Sequence, residues 1–383
     1  MSDLIPSFSP TAKLYTITIS DVTAFISEVD TALEMASGKR LVCCIPEGRR
    51  ALTQAVCFFG CYMVLKLEMG VSEVARVFSW AMADLVTTRD PSWSDPDFVL
   101  TVADYWEALT QAQSIGWLAM PTKADLSTRG ALDMRQYEIY GHPSRGHLHE
   151  VVPGDLVAFG SHRSSSDTPA GSGKTGNNFL QAGSFLHDSI LAHLGVSNVV
   201  HIAQQRSDAS RGSNHHPSSD QSKLFRSHEL ASGHAFAPDK GLVRAFMHIV
   251  DSAPGLVAVE CDADADSSLH GITLIALYLL RKYDFSARSA ISWLRLVRPG
   301  SVRGEQPVYL RAFEVSFAAV KAAEAPRSPT ELVDAGHSPS LWLEPVRLAG
   351  AGGDEVSAVS GRRRSPSLST IEEEQNGLED RGL

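Results

Sequence analysis

Val257–Leu280, VAVECDADADSSLHGITLIALYLL, decides how the rest of the chain is read. An apolar run ends in Glu260 and Cys261, a polar loop follows, and an apolar helical pattern is under way by Ile272. Strand, loop and helix in that order can cradle an anion, because loop and first-turn N–H groups converge there. Glycines and a cation would complete such a cradle. This loop carries Asp262, Asp264 and Asp266, and no Arg or Lys before Arg281.

Working outward, 383 residues suffice for two domains and a tail, and 43% apolar with 20% charged residues is the balance of an ordinary globular protein. A formal charge of −10 argues against general affinity for nucleic acid, whose phosphates require a basic face. The start, MSDLIPSFSP, has neither a basic nor an apolar leader region, so no secretory signal is expected. The most apolar segment, Ala51–Leu67, is broken by Thr53, Gln54 and Lys66, which predicts a buried core helix rather than a membrane span. Five cysteines, at 43, 44, 57, 61 and 261, read as reduced intracellular thiols. Cys57 and Cys61 share a helical face at four-residue spacing and are expected to pack in the core.

The first block reads as alternating strand and helix. Strands are expected at Lys13–Ile19 and Arg40–Pro46, with a helix capped by Asp21 between them. Helices are expected from Ala51, over Ser72–Met82 and over Asp97–Leu118. Residues 119–150, broken by Pro121, Gly130 and Pro143, read as a connector. In the second block, strands are expected at Leu156–Phe159, Asn198–Ala203 and Leu256–Cys261. Helices there are expected at Ser184–Leu194, Lys240–Asp251, Ile272–Lys282, Ser286–Val297 and Gln306–Ala323. Long polar loops cover Ser161–Asn178 and Gln205–Ser222. After Ala325, Pro, Ser, Gly and charge dominate, which predicts a disordered tail over 326–383.

Several motifs invite chemistry that their details withhold. GSGKTG at Gly171–Gly176 has Thr168 where a nucleotide-binding loop needs its first glycine. The Asp262–Asp266 alternation resembles a calcium loop, but Ser267 and Thr273 stand where that loop needs Gly and Glu. His215 and His216, with His201 and His228 nearby in sequence, lack the spacing of structural zinc. Arg362–Ser367, RRRSPS, fits either a nuclear-import patch or a phosphorylation site. Nothing in the sequence calls for a cofactor or a resident metal, although a metal-binding regulatory module on the aspartates stays open as a third reading.

Thr273–Leu310, Tyr137–His162 and Arg40–Phe78 together resemble the mitotic-exit dual-specificity phosphatases, the cell-division-cycle fourteen family. The resemblance implies an α/β fold of two tandem cysteine-phosphatase-like domains, each a central sheet with flanking helices. The implied bounds are 1–118 for the N-terminal domain, 119–150 for the linker and 151–325 for the C-terminal domain. In that family a cysteine in the loop H-C-x-A-G-x-G-R-T-G attacks the phosphoryl group, loop amides and the arginine hold the dianion, and an aspartate protonates the leaving oxygen.

Carried over by position, Cys261 stands at the nucleophile and Glu260 at the preceding histidine, where a carboxylate beside the thiol would disfavour the thiolate. The arginine has no counterpart: its place falls at Ser267 counted from Cys261 and at His270 counted back from Thr273, since the loop is three residues longer. GHAFAP, Gly233–Pro238, puts His234 at the general-acid position. Gln306 matches a turn glutamine, and Glu138 one of the linker acids that select a basic residue in the substrate.

The expected function is that of a pseudophosphatase working through protein partners, phosphoproteins among them. No nucleic acid or membrane partner is expected, and the location is nuclear or cytoplasmic. An active phosphatase using Cys261 and His234 with an altered loop is the alternative.

Overall fold

The computed structural model describes residues 17–36, 40–87, 98–118, 131–142, 147–160, 188–204, 224–233, 237–261 and 269–324. The first helices are α1 (Ile19–Ala36), α2 (Arg49–Leu65), α3 (Val71–Val77), α4 (Val102–Ile115) and α5 (Met134–Tyr140). Five strands follow: β1 (His149–Val152), β2 (Leu156–Phe159), β3 (Val196–Gln204), β4 (Arg226–Ser232) and β5 (Leu256–Glu260). The later helices are α6 (Lys240–Ser252), α7 (Leu269–Lys282), α8 (Ala287–Val297) and α9 (Gln306–Glu324), and residues 188–193 are also helical.

The sheet runs β1-β2-β5-β3-β4, with β1 antiparallel to β2 and the remaining pairs parallel. This mixed α/β sheet places β5, the strand that leads to Cys261, at its centre. Burial on both faces suits the unbroken apolar run of β5. Alternation sorts its side chains: Val257, Val259 and Cys261 join the larger core, while Ala258 joins a smaller core with Val157, Phe159 and Leu191.

Among the described residues, α1 to α4 pack without a strand. Gly60 of α2 admits the Trp106 indole of α4 so closely that an added Cβ would lie 2.1 Å from it. Trp106 Nε1 donates to the Cys57 carbonyl at 3.1 Å, so the ring fits there without leaving its N–H unmet. Cys57 and Cys61 are buried core thiols, and the Cys57 partner together with burial pushes the Cys61 thiol well up.

Helix α8 joins these helices to the sheet and is buried at every residue except the partly exposed Arg288. On one side Arg288 donates from Nε and Nη2 to Asp104 of α4, at 2.6 and 2.7 Å. On the other, Trp293 Nε1 donates to the Val151 carbonyl of β1 at 2.8 Å. Trp117, just beyond α4, lies against Phe285 and Trp293. One continuous apolar core therefore runs from Ile17 to Leu310.

Several expectations need correcting. Residues 40–46 form no strand: Val42, Cys43, Cys44 and Ile45 are exposed, and an exposed segment without a ladder has little to hold it extended. Lys13–Thr16 lie outside the described residues, Ile17 and Thr18 are irregular, and Ile19 opens α1. Asp21 is not the residue preceding α1; it sits in the first turn and accepts the Thr18 N–H at 2.8 Å. The helix expected over Ser72–Met82 ends at Val77, where Ser79 and Ala81 N–H groups turn to carbonyls three residues back. Helix α4 is shorter than Asp97–Leu118, bounded by the Thr101–Asp104 cap and by Gly116 at φ 88°. The connector is not merely polar, since α5 lies in it and buries Tyr137. The strands β1 and β4 were not expected. The two long loops, the Asp262–Asp266 run, His215, His216 and the tail lie outside the described residues.

Candidate active-site region

Cys261 follows β5 and continues its ladder: its N–H donates to the Phe159 carbonyl of β2 at 2.7 Å. The residue is 4% exposed. Helix α7 starts directly over it. A Cβ on Gly271 would stand 2.6 Å from the Glu260 carbonyl and 2.9 Å from Cys261 Sγ, so glycine is what lets the first turn of α7 sit on the sulfur. Positive partial charge at a helix N-terminus favours an anion there.

Three further contacts surround this point. The Arg298 guanidinium, which follows α8, donates to the carbonyls of Cys261 at 2.6 Å, His147 at 2.7 Å and Ala158 at 3.3 Å. It clasps the lead into β1, the strand β2 and the end of β5 together. His270, 3% exposed on the first turn of α7, pairs through Nδ1 with the Ser232 hydroxyl at the end of β4. The residue that one count puts at the arginine position thus joins a neighbouring strand.

Glu260 corrects an expectation. Consecutive strand residues leave the sheet on opposite sides, and Glu260 Oε2 meets His201 Nδ1 of β3 at 2.8 Å. Its carboxylate faces an imidazole across the sheet from the thiol, so the repulsion expected between Glu260 and a Cys261 thiolate is reduced by direction and by partner.

Gln306 opens α9, is buried, and accepts the Arg303 N–H through Oε1 at 2.7 Å. It braces the turn that begins with Arg298, in which Gly300, Val302 and Gly304 take positive φ. Glu138 on α5 belongs to a different neighbourhood, accepting the Ser20 hydroxyl of α1 at 2.6 Å. His234 lies outside the described residues. Pro238, at the end of the same GHAFAP segment, accepts the Tyr309 hydroxyl at 3.3 Å, and burial pushes that phenol up to about 12.

Two histidines border the clasp. Burial first, and the Arg298 charge second, lower His147; the same causes, with His147 added, hold His149 well below its usual range. His149 Nδ1 is buried without a hydrogen-bond partner. Among the described residues, no group of three or more His, Cys, Asp and Glu is arranged to hold a metal ion. No helix among them is long and apolar enough to cross a membrane.

Sequence reasoning missed Arg298, Ser232 and the roles of His201 and His270. Arg298 had a signal, since it opens the Arg298–Ser301 stretch, Arg-Pro-Gly-Ser, within the Thr273–Leu310 segment that carries the resemblance. The others depend on parallel pairing of β3 with β4 and β5, which one sequence does not reveal.

A thiol at the end of a central parallel strand, beneath a glycine in the next helix, is an arrangement that resembles a cysteine phosphatase. Residues 16–112 match the family model described as "Dual specificity protein phosphatase, N-terminal half". Over 282 residues the chain is 29% identical to the dual specificity protein phosphatase CDC14AB of Danio rerio, covering 73% of this chain and 41% of that protein. It is 24% identical to human dual specificity protein phosphatase CDC14C over 71% of this chain and 55% of that one. It is 25% identical to the Saccharomyces cerevisiae tyrosine-protein phosphatase CDC14 over 78% of this chain and 51% of that one. The chain spans about half the length of the curated relatives it matches. A solved putative protein tyrosine phosphatase from Leishmania major overlaps 41% of this chain and 85% of its own at 18% identity, with a TM-score of 0.28 that is too low to bear on the fold. The chain is similar to the CDC14-type dual-specificity phosphatases, as the resemblance in its sequence indicated.

Proposed function

We propose that the chain is a pseudophosphatase, a phosphatase-related module that acts through protein contacts rather than phosphoryl transfer. The observation that carries this reading is the fate of positive charge around Cys261. The sequence from Cys261 to Leu280 contains three aspartates and no arginine, and among the described residues the guanidinium that reaches Cys261, that of Arg298, is turned to three backbone carbonyls. His270 is paired with Ser232. Each carboxylate about 4 Å from a unit anion costs roughly 1 kcal/mol in water and about 4 at an intermediate dielectric, and a dianion about doubles that. Losing one transition-state donor lowers kcat by about 100- to 1000-fold on its own. A retained thiol does not offset these together.

The same reading takes the two halves, 1–118 and 151–325, as descendants of tandem phosphatase-like domains fused through one core, which the N-terminal family match supports. It gives the chain protein partners, phosphoproteins among them, and a nuclear or cytoplasmic location.

One observation favours a second reading, an active phosphatase using Cys261 and His234. The first turn of α7 sits on the sulfur, and a helix N-terminus stabilises a thiolate. Hydrolysis of para-nitrophenyl phosphate by the full chain and by Cys261→Ser separates the two. Equal, background rates support the pseudophosphatase. A rate abolished by Cys261→Ser establishes the enzyme.

A further inference from the structure

Of the five cysteines, Cys57, Cys61 and Cys261 are buried, whereas Cys43 and Cys44 are both exposed. These two are adjacent in the 40–46 segment, which has no regular secondary structure. Their apolar neighbours Val42 and Ile45 are 72% and 41% exposed. Neighbouring thiols on an open segment can act in two ways, by closing on each other or by closing on a third atom.

Geometry decides between them. Adjacent Cα atoms across a trans peptide are about 3.8 Å apart, while disulfides are found at about 4.4–6.8 Å. Direct closure therefore forces a strained eight-membered ring. A single larger atom between the sulfurs, with bonds to each longer than S–S, widens the ring and removes that demand. We propose that Cys43 and Cys44 form a two-sulfur clamp for one thiophilic centre of the trivalent-arsenical class.

The chemistry closes without an oxidant. Two S–As bonds form, the arsenic–oxygen double bond of an organoarsenical oxide breaks, and both thiol protons leave with its oxygen as one water. Arsenic stays trivalent. Partial burial, and then the neighbouring Cys44, hold the Cys43 thiol above its ordinary value, so the protons needed for that water are present near neutral pH. Once the first S–As bond has formed, the second is intramolecular and benefits from high effective concentration. Val42 and Ile45 offer apolar surface to an aryl group on the arsenic.

The test is titration of the native full chain with phenylarsine oxide, followed by counting accessible thiols with an aryl disulfide reagent. The expected result is two accessible thiols, both masked by one equivalent, restored by dimercaptopropanol and not by excess monothiol. Cys43→Ser and Cys44→Ser should each leave one accessible thiol and release the arsenical at least ~100-fold more readily. Both positions are exposed, so melting curves should coincide with that of the parent chain. Equal retention by either single variant, release from the parent by monothiol alone, fewer than two accessible thiols, or retention in the double variant would each overturn the proposal.

Discussion

Replacing Arg298 with methionine is the perturbation whose consequences the structure specifies most fully. The change keeps an apolar stem and removes hydrogen bonds to the carbonyls of Cys261, His147 and Ala158, at 2.6, 2.7 and 3.3 Å. Hydrogen bonds to a charged group contribute about 1.5–3 kcal/mol each, and buried acceptors left bare cost about 1–3 kcal/mol. Those figures do not add, and removing the charge also relieves its own desolvation. The expected loss is about 3 kcal/mol, or some 6–12 °C in Tm at about 2–4 °C per kcal/mol for a domain of this size. Urea and thermal unfolding measure it. Arg298→Lys should recover little, because one ammonium cannot reach three carbonyls spread around a planar fork. A second readout is independent of stability: with the cation gone, the NMR titrations of His147 and His149 should both move up. A loss below about 1 kcal/mol, with both titrations unmoved, would refute the clasp.

Other expectations follow from the packing and the charges. Gly60→Ala places a methyl 2.1 Å from the Trp106 indole and should cost about 3 kcal/mol or more in urea unfolding, with a changed Trp fluorescence spectrum. Arg288→Ala strands the Asp104 carboxylate, which is 6% exposed, and should cost about 2–4 kcal/mol, most of it recovered when Asp104→Asn is added. His147 and His149 have folded-state values below the usual one, so the unfolded chain takes up their protons first as pH falls. Their contribution should be constant above about pH 7.5 and should weaken as pH drops below about 6.5, the unfolded value. Comparing urea midpoints at neutral and mildly acid pH, with His149→Gln as the control that flattens the slope, checks the sign.

The elements most legible in the sequence were those whose periodicity and boundaries agreed. Helix α8 was expected from Ser286, whose hydroxyl does accept the Ser289 N–H at 3.0 Å before the helix opens at Ala287. The unbroken apolar run of β5 read as a strand because burial on both faces leaves no alternation to find. β4 was not legible: it is an edge strand whose sequence, RSHELAS, is mostly exposed, so burial wrote little pattern into it. Residues 40–46 failed in the opposite way, an apolar run that exposure leaves without a partner ladder.

The resemblance singled out Cys261, Gln306 and Glu138 by position along the chain, while the direction of their side chains did not follow from position. Glu260 faces His201 rather than the thiol, Gln306 braces a turn, and Glu138 answers Ser20 of α1. Arg298 acts through its reach to carbonyls from three segments distant in sequence, a property of the folded chain alone.

The most direct measurement is phosphate release from an aryl phosphate by the full chain, beside a variant in which residues 262–268 are exchanged for a glycine- and arginine-bearing loop of the pattern A-G-x-G-R. The account predicts release at the level of Cys261→Ser for the parent chain, with any turnover appearing only after the exchange. Phosphate released by the parent chain and abolished by Cys261→Ser would contradict it.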